Sequence, residues 1–208
     1  MIPNLAYAHY VMYLRAVLKG ARTILDVGCG GNSPIQFMKA TSHGVDGYEP
    51  ALRKGMERKT HSAFTVLDVR DVLTVFSPKS FDAVVALDVI EHLSKQDGYA
   101  LIRDMETIAT SKVVIFTPNG FLPQVSKESG DLQEHLSGWD WIEMRNMGFT
   151  VRGVYGPRVL RKTEQELRFR PKLVCGIASE IMQVLYSYRH PEQAAALLCV
   201  KDLGVKNV

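Results

Sequence analysis

Cysteine is scarce in this chain of 208 residues. Cys29, Cys175 and Cys199 stand far apart, without metal-ligand spacing and in an odd number unlike a secreted disulfide framework. A reducing cytoplasm is the expected compartment, and no metal is expected. Long apolar runs are missing too. The stretch NLAYAHYVMYLRAVLKG has no basic start, no small-residue cleavage site and no run able to cross a bilayer, so it reads as a helix packed on the domain. Net charge is only +3, too mild a field to imply a nucleic-acid or membrane partner. No repeat, low-complexity tract or linker interrupts the pattern. With 46% apolar residues, a substantial core is expected. The chain reads as one domain: an N-terminal helix over 4–19, a core over 22–156, and a helical insertion with a final strand over 157–203.

What is present is alternation. TILDV, HGV, FTVL, FDAVVALDV and KVVIF read as strands separated by helical segments, the signature of an α/β protein. Ser33-Pro34 and Glu49-Pro50 are helix starts. Ser94 with Asp97 forms a capping-box-like start before Ile102, Met105 and Ile108 at helical spacing. Ser137 and Asp140 repeat that signal before WIEMRNM, and Gly148 is placed to end the helix. FTVRGVY and AALLCVK supply two more strands. Between them Leu173, Ile177, Ile181 and Leu185 recur every four residues, predicting an amphipathic helix that closes the core or, second, covers a substrate. The expected architecture is a Rossmann-like doubly wound sheet of seven strands, mostly parallel with an antiparallel last strand.

Asp26, Asp46, Asp68 and Asp88 each fall at or just past the carboxyl end of a predicted strand, so they gather on the edge where open parallel sheets bind ligands. An aspartate there also serves as the N-cap of the next helix, an alternative open for Asp68 and Asp88. Asp46 follows the glycine turn at roughly the offset of a ribose-binding acid. The turn itself, GCGGNS from Gly28 to Ser33, fails the dinucleotide fingerprint at its third glycine, and no lysine follows it as in a P-loop. Asp26 beside the turn repels a pyrophosphate. A ligand with adenosine at one end and an ammonium and a sulfonium at the other suits these acids, and S-adenosylmethionine is such a ligand.

The chain resembles the class I S-adenosylmethionine-dependent methyltransferases. ILDVGCG resembles their first motif, GVD their ribose acid, VLDV the adenine-reading segment, and FDAVVALDVIEHL the fourth motif of small-molecule enzymes similar to ubiquinone-biosynthesis O-methyltransferases. The resemblance implies that Gly28 and Gly30 admit the methionine part and that Asp26 lies near its ammonium. It implies that Asp46 takes the ribose hydroxyls, that Asp68 accepts from the adenine amine while the Val69 N–H donates to the ring, and that the backbone of Leu87 borders the methionine moiety. Asn32 stands at the usual third glycine, and its tolerance of left-handed backbone suggests a reshaped loop.

Methyl transfer from a sulfonium disperses charge, so a dry pocket that aligns the acceptor does much of the work. Glu91, His92 and His135 are the candidate acid–base residues, His135 on a long loop facing the acceptor, with loop-fixing the competing role. A small-molecule acceptor, methylated at oxygen or nitrogen, is expected. LDVIEH stands where methyltransferases of planar exocyclic amines resemble one another in an Asn- or Asp-Pro-Pro-aromatic tetrad, which makes DNA adenine an unlikely substrate. Two alternatives remain. Arg152, Arg158, Arg161, Lys162, Arg168, Arg170 and Lys172, offset only by Glu164 and Glu166, read first as a solvated helix face and second as a surface for RNA or an acidic small substrate, so an RNA substrate is one. A non-catalytic cofactor-binding module is the other. Trp139 and Trp141 are candidate acceptor-pocket residues. Tyr7, Tyr10 and Tyr13 read as core.

Overall fold

Strand residues alternate between the two faces of a sheet, and the two hydrophobic cores follow that parity. From the strand Thr23–Val27, Leu25 and Val27 join one core and Ile24 the other; from Phe81–Leu87, Val84 and Ala86 oppose Ala83 and Val85; from Ala109–Pro118, Val113 and Ile115 oppose Val114 and Phe116. Buried on both faces, these strands require helices on both sides. The computed structural model describes residues 5–124, 132–162 and 167–204.

In chain order the elements are α1 (Leu5–Val17), β1 (Thr23–Val27), β2 (Thr41–Asp46), α2 (Glu49–Arg58), β3 (Ala63–Val66), α3 (Val72–Val75), β4 (Phe81–Leu87), α4 (Lys95–Ile108), β5 (Ala109–Pro118), α5 (Trp141–Asn146), β6 (Thr150–Pro157), α6 (Lys172–Met182) and β7 (Ala194–Asp202). The sheet runs β3-β2-β1-β4-β5-β7-β6. β7 is antiparallel to both neighbours and the other pairings are parallel. The expected doubly wound sheet of seven strands is therefore present. α1 covers one core through Ala6, Tyr10 and Leu14; α4 covers the other through Leu101, Ile102, Met105 and Ile108. Each such aliphatic side chain contributes about 1.5–3 kcal/mol by leaving water. Strand order reverses between β1 and β4, which opens the ligand crevice there.

The structure corrects the sequence reading in four places. The start at Ser33-Pro34 yields a single 3₁₀ turn, Pro34–Phe37. Ser33 caps it by accepting from the Ile35 N–H at 3.1 Å, but β2 begins at Thr41 and leaves no room for more. Asn32 is not in the left-handed region; its side-chain oxygen accepts from Gln36 instead. Asp140, not Ser137, caps α5, accepting from the Ile142 and Glu143 N–H groups. Ser137 turns inward and donates to the Ile90 carbonyl.

The fourth correction is the largest. Leu173, Ile177, Ile181 and Leu185 do not close the core: they are 60%, 53%, 53% and 71% exposed. α6 and the π-turn after it, Gln183–Ser187, face inward with Ser179, Glu180, Gln183 and Ser187. Glu164 and Glu166 lie outside the described residues.

Candidate active site

At the β1–β4 crevice the glycine turn does what only glycine permits. Gly28 has φ +73°, and a Cβ there would stand 2.5 Å from Val89 Cγ2. Both its conformation and its packing exclude a side chain. The Gly28 and Cys29 N–H groups donate to the Val45 carbonyl at 2.7 and 2.9 Å, tying the turn to β2. Gly30 has φ +56°, and a Cβ there would meet no neighbour, so this stretch of backbone lies open to the cleft.

Asp46, the last residue of β2, binds that turn with one carboxylate oxygen and the next with the other. Its Oδ2 accepts from the Gly30 N–H and its Oδ1 from the Tyr48 N–H, each at 2.8 Å. Each oxygen keeps a further lone pair for a ligand hydroxyl. Burial pushes the Asp46 carboxyl above the ordinary range, and the two amides oppose that shift.

Asp26 is 1% exposed. It accepts from the Ser33 hydroxyl, and His61 Nε2 lies 3.3 Å from its Oδ2. It therefore anchors the turn while lining a cavity. Asp68 is both a cap and an ion-pair partner: it accepts from the Arg70 N–H at 2.9 Å and meets the guanidinium at 2.6 Å, which holds its carboxyl below the usual range. Asp88 follows β4 in left-handed backbone, φ +57°.

Two cavities adjoin here. One of about 490 Å³ is lined by Gly28, Gly30, Asp46, Asp68, Val69 and His92, with Tyr48, Arg70, Asp88 and Gln133 among the others. The second, about 400 Å³, is lined by Asp26, Gly28, Gly30, Asp46 and Leu87, with Tyr7, Tyr10, Asp88, Gln133 and Tyr155. All seven expected cofactor residues thus border one continuous cleft, sized for a drug-like ligand. Gly28, Gly30, Asp46, Asp88 and Gln133 are common to both parts and mark the junction.

The second cavity also meets an independent test of fit. Tyr10 Oη is buried and has no hydrogen-bond partner among the described residues. A buried hydroxyl left alone costs free energy, so a polar group brought beside it would be stabilised. Burial and nearby Asp88 raise the phenol well above its ordinary pKa, which keeps it a neutral donor.

Glu91 and His92 are brought together with His135 although α4 and β5 lie between them in sequence. The Leu136 and Ser137 N–H groups donate to the Glu91 carbonyl at 2.8 and 3.0 Å, and Trp139 Nε1 donates to the Ile90 carbonyl at 3.1 Å. These bonds pin residues 132–139 beside the segment after β4. His92 Nδ1 lies 3.0 Å from the Glu134 carbonyl and His135 Nδ1 2.6 Å from the Leu122 carbonyl. A carbonyl only accepts, so each ring donates to it from Nδ1. Glu91 is buried and its Oε2 accepts from the Thr117 hydroxyl at 3.1 Å. Ligand atoms of the three residues lie within 4.8 Å of one another, close enough to share a metal ion. Of the three, His92 lines the cleft; His135 packs behind it, ring centroids 4.7 Å apart.

Other candidates fall elsewhere. Trp139 is fully buried, and Trp141 packs against the core with Arg145 over its ring. Tyr13 packs on Tyr188, whereas Tyr7 and Tyr10 both pack in the core, the first reading of these tyrosines, and border the second cavity. Tyr155 and Gln133 carried no sequence signal, since neither stands in a motif. No member of the Arg152–Lys172 basic cluster lines either cavity among the described residues. No helix among them is long and apolar enough to cross a membrane.

A seven-stranded sheet of this order with an acid-lined cleft at its switch point is the fold of the class I S-adenosylmethionine-dependent methyltransferases. Residues 25–116, from the middle of β1 to near the end of β5, match the family described as methyltransferase domain. Similar solved structures include an S-adenosylmethionine-dependent methyltransferase from Archaeoglobus fulgidus, with 17% identity, 95% of this chain and 93% of that one covered, and TM-score 0.58. The methyltransferase domain of bacterial CtHen1 has 18% identity, 95% and 100% coverage and TM-score 0.59. Magnesium protoporphyrin IX methyltransferase from Synechocystis PCC 6803, with bound S-adenosylmethionine, has 15% identity, 95% and 80% coverage and TM-score 0.52. At such identities the likeness establishes the fold. No curated protein matches the chain.

Proposed function

We propose that this protein transfers the methyl group of S-adenosylmethionine to an oxygen or nitrogen of a small-molecule acceptor by in-line displacement. The observation that carries the reading is the convergence of Asp26, Gly28, Gly30, Asp46, Asp68, Val69 and Leu87 on one cleft, with His92 on its wall. When bound, the cofactor supplies an electrophilic methyl on a cationic sulfur. Asp46 receives the ribose hydroxyls, Asp68 and the Val69 N–H read the adenine, and Asp26, Leu87 and Tyr10 border the methionine part. Val89, Leu93 and Leu136 line the larger cavity and limit water there, so the acceptor is held by orientation and desolvation. His92, on the wall of the cleft, takes the acceptor proton. Glu91 and His135 hold His92 in place.

Solvation supports a small acceptor over RNA, because the basic cluster lies away from the cleft walls. The magnesium protoporphyrin IX methyltransferase shares the fold and supports the same reading.

A second reading is favoured by the spacing of Glu91, His92 and His135. Two imidazoles and a carboxylate form a donor set for a divalent cation. In that reading the ion, not His92, lowers the pKa of an acceptor hydroxyl.

The experiment is release of S-adenosylhomocysteine with a panel of phenols, carboxylates and amines, run with and without chelator. Turnover that persists in chelator and falls by ~10²-fold or more in His92→Ala supports the first reading. Turnover abolished by chelator and restored by one divalent metal selects the second. Turnover on RNA alone defeats both.

A further inference from the structure

The sidedness of α6 is inverted relative to an ordinary surface helix, which turns its apolar stripe to the core. Here specific polar bonds hold the inward face. Arg161 Nη2 donates to the Ser179 hydroxyl at 3.0 Å and lies 3.5 Å from Glu180 Oε1; His9 Nδ1 from α1 meets Glu180 Oε2 at 2.8 Å. The Gln183 amide accepts from the Gly156 N–H at 2.6 Å and donates to the Gly153 carbonyl at 2.9 Å. A 180° rotation of the helix would bury four aliphatic side chains but strand every one of these groups. The outward stripe is therefore built in.

That stripe is continuous. Leu173, Val174, Ile177, Ile181, Val184 and Leu185 follow one side of the helix and its π-turn, all exposed. Val159 and Phe169 are exposed in the preceding segment, which folds back through the Arg168 N–H bond to the Leu160 carbonyl at 2.9 Å. Cations fringe it: Arg158, Lys162, Arg168, Arg170, Lys172 and Arg189 are exposed. Among the described residues from 158 to 191 the one acid is Glu180, buried and already paired with Arg161 and His9.

We propose that α6 is a membrane-docking element: its aliphatic side enters the headgroup boundary of an anionic bilayer while the surrounding arginines and lysines meet lipid phosphates. An apolar helix face rimmed by one sign of charge is what such a surface complements. A second copy of this chain would bring two cationic fringes together, and this charge repulsion disfavours it as the occupant. The weak whole-chain charge conceals this surface because acids elsewhere cancel it.

The test is flotation of the full chain with vesicles of one part phosphatidylglycerol to three parts phosphatidylcholine, compared with phosphatidylcholine alone. Association with the anionic vesicles, at least about tenfold weaker on neutral ones, is expected. Ile177→Glu with Ile181→Glu, and separately Arg168→Glu with Lys172→Glu, should each reduce it by about tenfold or more. These positions are exposed, so the melting temperature and S-adenosylmethionine affinity should hold. Absence of binding to anionic vesicles, or binding indifferent to both double variants, overturns the proposal. So does sedimentation showing a dimer that Ile177→Glu dissociates, which would assign the stripe to a second copy. Loss of vesicle binding with cofactor affinity intact leaves the catalytic reading untouched, so the two stand or fall separately.

Discussion

Gly28 carries two constraints at once, left-handed backbone and contact with Val89, and either alone would resist a side chain. Gly28→Ala is expected to lose roughly 2–4 kcal/mol of stability, measured by denaturant unfolding, with cofactor binding lost as the turn shifts. Asp46 offers a cleaner functional test because it is nearly isosteric with asparagine. Asp46→Asn should weaken S-adenosylmethionine binding by about 10–100-fold in calorimetry, the worth of hydrogen bonds to a charged acceptor. The carboxyl of Asp46 is raised by burial in the folded chain. Its protonated form is thus favoured by folding, and its contribution to the stability of the free protein is present at low pH and lost as pH rises through the raised value. Cofactor binding, which uses the ionised form, should follow the opposite course and strengthen over that same window. An affinity independent of pH from about 4 to 7 would remove Asp46 from the ribose site.

Elements show where local pattern and tertiary placement part company. α4 behaves as its sequence reads: Ser94 caps it by accepting from the Asp97 N–H, and its aliphatic residues enter the core. α6 has equally clear periodicity, yet its apolar side faces out, because the Gly153–Gly156 stretch of β6 presents unpaired backbone groups that only the Gln183 side can satisfy. Gln183→Leu should therefore destabilise by about 2–4 kcal/mol despite adding an apolar side chain, since two buried backbone groups lose partners. Thermal unfolding decides it; a neutral or stabilising result would mean that water reaches those groups.

For the molecule as a whole, ligand and fold are linked through the crevice between β1 and β4. S-adenosylmethionine at ~100 times its Kd should raise stability by about 2.7 kcal/mol, or roughly 5–10 °C in melting temperature for a chain of this size. NAD at the same concentration should leave the melting temperature unchanged. A comparable shift with NAD would contradict the exclusion of a pyrophosphate by Asp26.

The strands themselves, the glycine turn and the four rim acids are legible in the linear chain because each depends on residues within one βα unit: an apolar run, a turn that only glycine makes, and an acid at the strand end. The amino-acid order by itself determined the class of fold and placed its rim acids and glycine turn on one cleft. It did not disclose that His92 and His135 meet, that Tyr10 borders the second cavity, or that α6 is inverted. Those outcomes depend on bonds between segments remote in sequence: Glu91 to Leu136, α1 to Tyr155, Gln183 to Gly153. Periodicity states that a helix has two unlike sides, but which side is buried depends on the partners waiting for it, and only the tertiary structure supplied them.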